Sequence, residues 1–436
     1  MPAMDSTQEK QRAADTQVLI VGGGLGGLML AAILRRINIS CKVLERTAEL
    51  TPAGAGISLA PNALRVLDQM GLYGAIQKHG QKLRSIKIHH NTTFWRELDF
   101  DMEPWFKYPV YSIERHLFHH MLYEAAGGDE TVVLDAKVVD VLDAPKDEVV
   151  RARLEDGREF TGDMLVAADG IRSVVRRILA RNSGMENAAN TIRFTGRVHM
   201  SGYTQPLEHL SQSDLGVGNW LFFDDSVLTT WPCVENRQWY IGVKVVDPSS
   251  VRSDRSVWEN TTLDTINGVY GKKFHPFAEH GRFEEIVNKS ERFVASNVFS
   301  ELSFPTMSSG RVALLGDAAH SMTSFFGQGA CQAIEDATIL ANMLHRHYSP
   351  SSSSSKNIPD VLKSYARERE DRAKAVADFS ASYAKVHTAN LPLGFGPFIR
   401  KLIYGYAPAW VWMWYLKWLY GYQPSVDALG RDKKMQ

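Results

Sequence analysis

Six residues, Gly22 to Gly27, read GGGLGG between an apolar run, Gln17-Val-Leu-Ile-Val21, and a helical pattern from Leu28 to Ile37. Glycine inside a strand or helix costs roughly 0.5–1 kcal/mol per residue. Five of them together therefore force a turn between the two elements. A second strand, Cys41-Lys-Val-Leu-Glu45, follows, so residues 17 to 45 read as a βαβ unit, the seed of a parallel sheet. The turn satisfies G-x-G-x-x-G. Gly22 permits the tight bend, Gly24 lets backbone approach a pyrophosphate, and Gly27 lets the helix sit close to the sheet, with the helix N-terminus facing phosphate charge. Glu45, 23 positions after Gly22, would accept hydrogen bonds from a ribose 2′-hydroxyl and repel a 2′-phosphate. The spacing therefore predicts a resident FAD or NAD rather than NADP.

A chain of 436 residues exceeds one core and predicts two or three substructures. Lys+Arg and Asp+Glu both number 49, and the absence of a basic excess disfavours a nucleic-acid partner. Cys41, Cys233 and Cys331 stand apart with no metal-finger spacing, so a reduced, cytoplasmic compartment and no metal are expected. Met1 to Thr16 lacks the basic-then-apolar order of a signal peptide.

Further helices are predicted over Pro61 to Met70 and Arg115 to Ala126. Glu155-Asp156-Gly157 reads as a hairpin turn between Val149–Leu154 and Arg158–Phe160, and Asp163 to Ala168 as an apolar strand ending at Asp169-Gly170. From Thr191 to Asn297 the pattern alternates, with strands Ser226–Trp231 and Trp239–Val245 joined by PCVENRQ. The expected fold is α/β. A Rossmann-like FAD-binding domain (1–190 and 301–345) carries an inserted antiparallel β-sheet substrate domain (191–300) and a helical C-terminal region (346–436). The serine-rich tract from Ser349 to Ser355 reads as a surface loop between two helices.

A second ligand signal lies at Gly316 to Ala330, GDAAHSMTSFFGQGA, after the apolar run Val312 to Leu315. An aspartate at a strand end suits the hydroxyls of a ribityl chain. The Gly327-Gln328-Gly329-Ala330 turn aims backbone N–H groups at a flavin ring, where they would stabilise reduced-state charge. NAD has no ribityl chain, so two distant elements on one long cofactor favour FAD.

Here the sequence resembles the FAD-dependent single-component aromatic hydroxylases (group A flavoprotein monooxygenases), in their fungal secondary-metabolite branch. The resemblance rests on GGGLGG with VLER, then VAADGIRSVVR (166–176), then GDAAH…GQGACQAIEDA, in that order. It implies Asp317 as the ribityl ligand, Gly329 and Ala330 as backbone donors near the ring, and Arg115 as a brace for the cofactor. It further implies Gly56 and Ser58 beside the ring, Glu45 with neighbouring Arg46 at the adenosine end, and Asp169 at FAD and NAD(P)H. Tyr365, Arg369 and Arg372 resemble a structural helix motif of the family. The implied cycle uses NAD(P)H as a transient cosubstrate, reduces the flavin, and transfers one atom of O2 to a small organic substrate, with hydroxylation or epoxidation as the outcome.

The chain also departs from that pattern. Ser324 stands where the family usually has proline, and Ser201 and Trp231 where phenol hydroxylases often carry Arg and Tyr. A neutral, mostly apolar substrate is therefore expected. His199 either replaces the missing Arg as a polar contact or is solvated. His320 either relays a proton or packs within its motif, and Phe325-Phe326 either cover the flavin or fill core. Cys331, at a helix start, reads better as a small buried hydrophobe than as a reactive thiolate. The Trp-rich segment 408 to 422 either closes the substrate cavity or makes a weak membrane-surface contact. Two rival functions remain at this level: a flavin oxidase or dehydrogenase, and a non-redox flavoprotein that shapes a reactive substrate.

Overall fold

The computed structural model describes residues 14–50, 54–146, 148–185, 192–247, 260–301, 306–322, 327–349, 357–389 and 394–430. Thr16–Val21 lies at the centre of an eight-stranded sheet, parallel to Cys41–Leu44 on one side and to Glu159–Ala167 on the other. Val18, Leu19 and Ile20 are fully buried, as a parallel strand covered on both faces requires. Glu159–Ala167 is one continuous strand where two segments were expected. It carries the hairpin from Val149–Leu154 at one end and pairs with Val312–Leu314 at the other. The C-terminal ends of three strands, at Val21, Ala167 and Leu314, thus converge, which is where open α/β sheets bind ligands.

A seven-stranded sheet runs in the order Ser290–Glu301, Ile192–Thr204, Gln238–Val245, Ser226–Pro232, Val217–Phe222, Ser85–His90, Thr93–Asp99. Its pairings are antiparallel except that Val217–Phe222 lies parallel to Ser85–His90. The sheet therefore draws two strands from well before residue 191. A three-stranded sheet (Gly56–Leu59, Val110–Glu114, Gly80–Leu83) completes the set. Helices follow from Gln328–Tyr348 and Ile358–His387 to Ala409–Gly421. Most of the serine tract falls outside the described residues.

The Gln328–Tyr348 helix buries Gln332, Glu335 and Asp336 completely, which would be prohibitive without partners. Arg369, fully buried on the Ile358–His387 helix, supplies them. Its guanidinium donates to Asp336 (2.6 Å), Glu335 (2.8 Å) and Gln332 (2.9 Å). Arg372 adds two 3.1 Å bonds to Glu335. The Tyr365 hydroxyl donates to the Leu314 carbonyl at 3.0 Å, tying the same helix to the strand before Asp317. Removing this cation would leave Glu335 to Arg372 and Asp336 to His320 and the Gly316 N–H, with one buried positive charge too few. Arg369→Met is expected to destabilise the protein by about 3–5 kcal/mol, read as a lowered midpoint in urea; a midpoint within error of wild type would show that the carboxylates find other partners.

A cofactor cleft opening on an aromatic chamber

Gly22 adopts φ +105° with its N–H bonded to Leu44 O (2.9 Å), and a side chain there would collide with the Ala168 carbonyl. A Cβ at Gly27 would overlap the Gly22 carbonyl oxygen, so this helix can approach the strand only as glycine. A Cβ at Gly24, in contrast, would meet only the Ala168 carbonyl oxygen, at 4.0 Å. Gly24 begins the Leu25–Arg36 helix without any side-chain cap, leaving first-turn N–H groups aimed outward. Glu45 lies across this turn and accepts from Gly23 N (2.6 Å) and Thr47 N (3.0 Å). Gly22, Gly24, Glu45, Arg46 and Asp169 line a cavity of about 410 Å³. His119 also lines it and bonds the Gly23 carbonyl at 2.7 Å; nothing in the sequence pattern marked it.

That cavity shares Gly24, Arg115, Ala168 and Gly170 with a second one of about 510 Å³. The two form one elongated cleft with Arg115 at the junction. Asp169 accepts from Val174 N (2.7 Å) and so holds the start of the Val174–Asn182 helix. Its Oδ1 is buried without a hydrogen-bond partner, and burial raises its pKa against those N–H donors. An orphaned acceptor on a cleft wall fits a ligand that brings donors. Arg176, from the same motif, donates to Ala318 O and Ile171 O, both at 2.6 Å, clipping the middle motif to the third.

Asp317 lines the larger cavity. Its exposed area opens onto the cleft while protein packs its other sides, and this desolvation raises its pKa despite His320, Arg115 and Arg176 nearby. The 21-residue Gln328–Tyr348 helix starts at Gly327 with no side-chain cap, so its first-turn N–H groups also face the cleft beside Gly329 and Ala330. Gly56 and Ser58 complete this wall. His320 is held away from the cleft. Its Nε2 bonds Asp336 at 2.6 Å; burial lowers the imidazole pKa, but the charge and hydrogen bond of Asp336, with help from Asp317, leave it raised overall. Cys331 is a buried thiol pushed by desolvation up to about 12. Ser324, Phe325 and Phe326 lie outside the described residues.

Beyond the junction the cavity becomes aromatic. Trp231 stacks on Trp239 (5.7 Å, 14°), and Trp220 meets Trp231 edge-on. The indole N–H groups of Trp231 and Trp239 are spent on Thr229 (3.1 Å) and Ser112 (2.7 Å) respectively. His199 and Ser201 line the sheet side, while Tyr383 and His387 come from the long C-terminal helix. Trp220, Tyr383 and His387 went unnoticed in the sequence, because they converge only through sheet register and helix docking. The Trp-rich helix Ala409–Gly421 contributes nothing to either cavity wall. It packs behind, with Tyr415 stacked on Phe379 at 3.6 Å.

Burial, with smaller help from Arg197, lowers the His199 pKa to about 4, and burial with Arg400 lowers that of His387 to about 3. Both are neutral at pH 7. The ordinary value of about 6.5 returns on unfolding, so the unfolded chain binds more protons as pH falls below it, and stability is lost from there toward the folded values. The Tm is expected to fall between pH 7 and pH 4.5, with a shallower slope in His387→Asn; an unchanged slope in that variant would place the titration elsewhere.

Comparison with known proteins agrees with this geometry. Residues 15–380 match the family described as FAD binding domain. The chain is 52% identical, over 94% of its length and 97% of the relative's, to the FAD-dependent monooxygenase pynG of Aspergillus niger. It is 54% identical to pytG of Aspergillus terreus, also named an FAD-dependent monooxygenase, over 62% of this chain and 81% of that one. Among solved structures, a salicylate hydroxylase substrate complex superposes with a TM-score of 0.72 at 24% identity, over 95% of this chain and 97% of that one. Klebsiella pneumoniae HpxO complexed with FAD and uric acid does so with 0.74 at 20%, over 90% and 94%; both likenesses show the fold. With three motifs lining one cleft and these relatives along nearly its whole length, the chain belongs to the FAD-binding-domain family, as an FAD-dependent monooxygenase of the aromatic-hydroxylase type from the fungal secondary-metabolite branch.

Proposed function

We propose that the enzyme inserts one oxygen atom, by hydroxylation or epoxidation, into a small, mostly apolar and uncharged organic substrate. The carrying observation is the chamber itself: indole faces and two neutral imidazoles, with the charged groups, Asp317 and Arg115, confined to its cofactor side. A buried phenolate would need a cation there. Ser201 and Trp231, which both line the chamber, supply none. The Ser201 hydroxyl and the imidazoles His199 and His387 can orient a single carbonyl or hydroxyl on the substrate, while the tryptophans exclude water.

The cleft fits FAD along its length. Gly22, Gly24 and Gly27, with the uncapped helix start, would hold the pyrophosphate; Glu45 and Arg46 the adenosine end; Asp317 the ribityl chain. Arg115 would brace the junction, and the N–H groups at Gly329 and Ala330 with Gly56 and Ser58 would contact the ring. When bound, the flavin supplies hydride acceptance from NAD(P)H and the activation of O2. Asp169 would receive donors from FAD and the transient nicotinamide cosubstrate. The reading divides the chain into an FAD-binding domain (1–190, 301–345), a substrate domain (191–300) whose sheet borrows the strands Ser85–His90 and Thr93–Asp99 from the first part, and a helical region (346–436). A cytoplasmic setting is supported by three free thiols. We also infer a weak contact of residues 408–422 with a membrane surface, supported by their exposed tryptophans.

Asp317→Ala is expected to purify with FAD depleted at least about tenfold, since a charge-assisted hydrogen bond is worth about 1.5–3 kcal/mol; full flavin absorbance would remove Asp317 from the cofactor site. Anaerobic mixing of the holoenzyme with NADPH and a panel of aromatic, indole and polyene compounds should reveal one that accelerates bleaching, with a product heavier by one oxygen atom in air. Ser201→Arg/Trp231→Tyr is expected to shift that stimulation toward phenols. Unchanged phenol affinity would refute the substrate class.

A further inference from the structure

The C-terminal region exposes large apolar side chains at every fourth position from Phe398 to Trp418. Phe398 is 68% exposed and Tyr406 67%, with Leu402 between them; Trp410 is 70% and Trp414 75%, followed by Trp418. The first three lie on Gly396–Lys401 and its continuation Leu402–Tyr406, the last three on Ala409–Gly421. Four-residue spacing places each set along one side of its helix. A stripe of this kind at helical spacing is ordinarily core. Here the core side is the other one: Tyr415, Leu416, Leu419 and Tyr420 are buried.

The segment that carries the stripe has charge of one sign. From Phe379 to Val426 the chain has no Asp or Glu, while Lys385, Lys401 and Lys417 are exposed. Lys417 rides over the exposed Trp105 ring at 4.9 Å, adding another indole beside the stripe. No helix among the described residues is long and apolar enough to cross a membrane. Tryptophan and tyrosine favour the headgroup boundary, and lysines beside them favour anionic lipid.

We propose that this stripe docks flat on an anionic phospholipid leaflet; the inference rests on the membrane-contact reading above and names its face and lipid. A second copy of the chain is the poorer occupant. A two-fold contact would press the stripe against itself and bring the lysines of two copies together, with no carboxylate supplied by the segment itself. The inner side of the same segment backs the chamber. Tyr404 bonds His387 Nδ1 at 2.6 Å, and Arg400 donates to His387 O (3.4 Å) and Phe223 O (3.2 Å). Docking therefore seats the chamber wall beside the bilayer, where an apolar substrate concentrates.

Flotation of the full-length, FAD-loaded protein with phosphatidylcholine vesicles, with and without about one-third phosphatidylserine, tests this. Flotation is expected with the anionic vesicles only. Trp410→Ser/Trp414→Ser should weaken it at least about tenfold while flavin absorbance is retained. Lys401→Gln and Lys417→Gln should each weaken it about fivefold at low salt. Equal flotation on both vesicles would overturn the anionic-leaflet inference and leave the weak-contact reading standing. No flotation on either would overturn both. A dimer that the double tryptophan variant dissociates, without flotation, would assign the stripe to a second copy.

Discussion

Arg369 sits out of water with two carboxylates, and much of the cleft's shape depends on that arrangement. Burying one guanidinium with Asp336 and Glu335 carries a desolvation cost that only close, multiple hydrogen bonds offset. Asp336 is consequently held well below the usual carboxylate range: burial raises its pKa, but His320 and Arg369 outweigh it. Its Oδ2 also accepts from Gly316 N (2.9 Å) and His320. The strand end, the turn and the helix that present Asp317 and Ala330 are thereby cross-linked to a residue some thirty positions further on, in the next long helix. Asn62 joins the same network through Glu335 at 2.7 Å, which ties in the element next to Ser58.

The cleft changes character along its length. At the glycine-turn end, close-packed glycines and an uncapped helix start present backbone N–H groups. Arg115 stands at the junction, with Asp169 on the wall of one cavity and Asp317 on that of the other. In the chamber the titratable groups are pushed to neutrality, and the indole donors of Trp231 and Trp239 are already bonded to the protein. Such a gradient suits a reaction in which a polar, tightly held cofactor meets an apolar substrate, because each end is desolvated in the form that its ligand needs.

The glycine turn and the helix after it were legible in the sequence because their sterics are local. A turn that only glycine can make, followed by a helix that only glycine lets approach, is written in six consecutive residues. The Arg115–Ala126 helix was readable to the residue, and the Pro61 helix to within one, because proline and positive-φ Gly71 mark the latter's ends. Ser201 and Trp231 were marked by comparison with a motif pattern, and both do line the chamber. Trp220, His119, Tyr383 and His387 carry no local signal. The membership of Ser85–His90 in the second sheet carries none either, since a parallel pairing with Val217–Phe222 leaves no turn between the two strands to read.

The sequence by itself determined the βαβ unit, the three motifs and hence the cofactor, because backbone sterics and short-range hydrogen bonding act over a few residues. Tertiary structure decided how the motifs meet and which side chains wall the chamber. It also decided that His320 faces Asp336 rather than substrate, and that the Trp-rich helix buries its tyrosines and leaves Trp410, Trp414 and Trp418 outside. Those outcomes depend on sheet register and helix docking between residues far apart in the chain, and on desolvation costs that exist only once the groups are brought together.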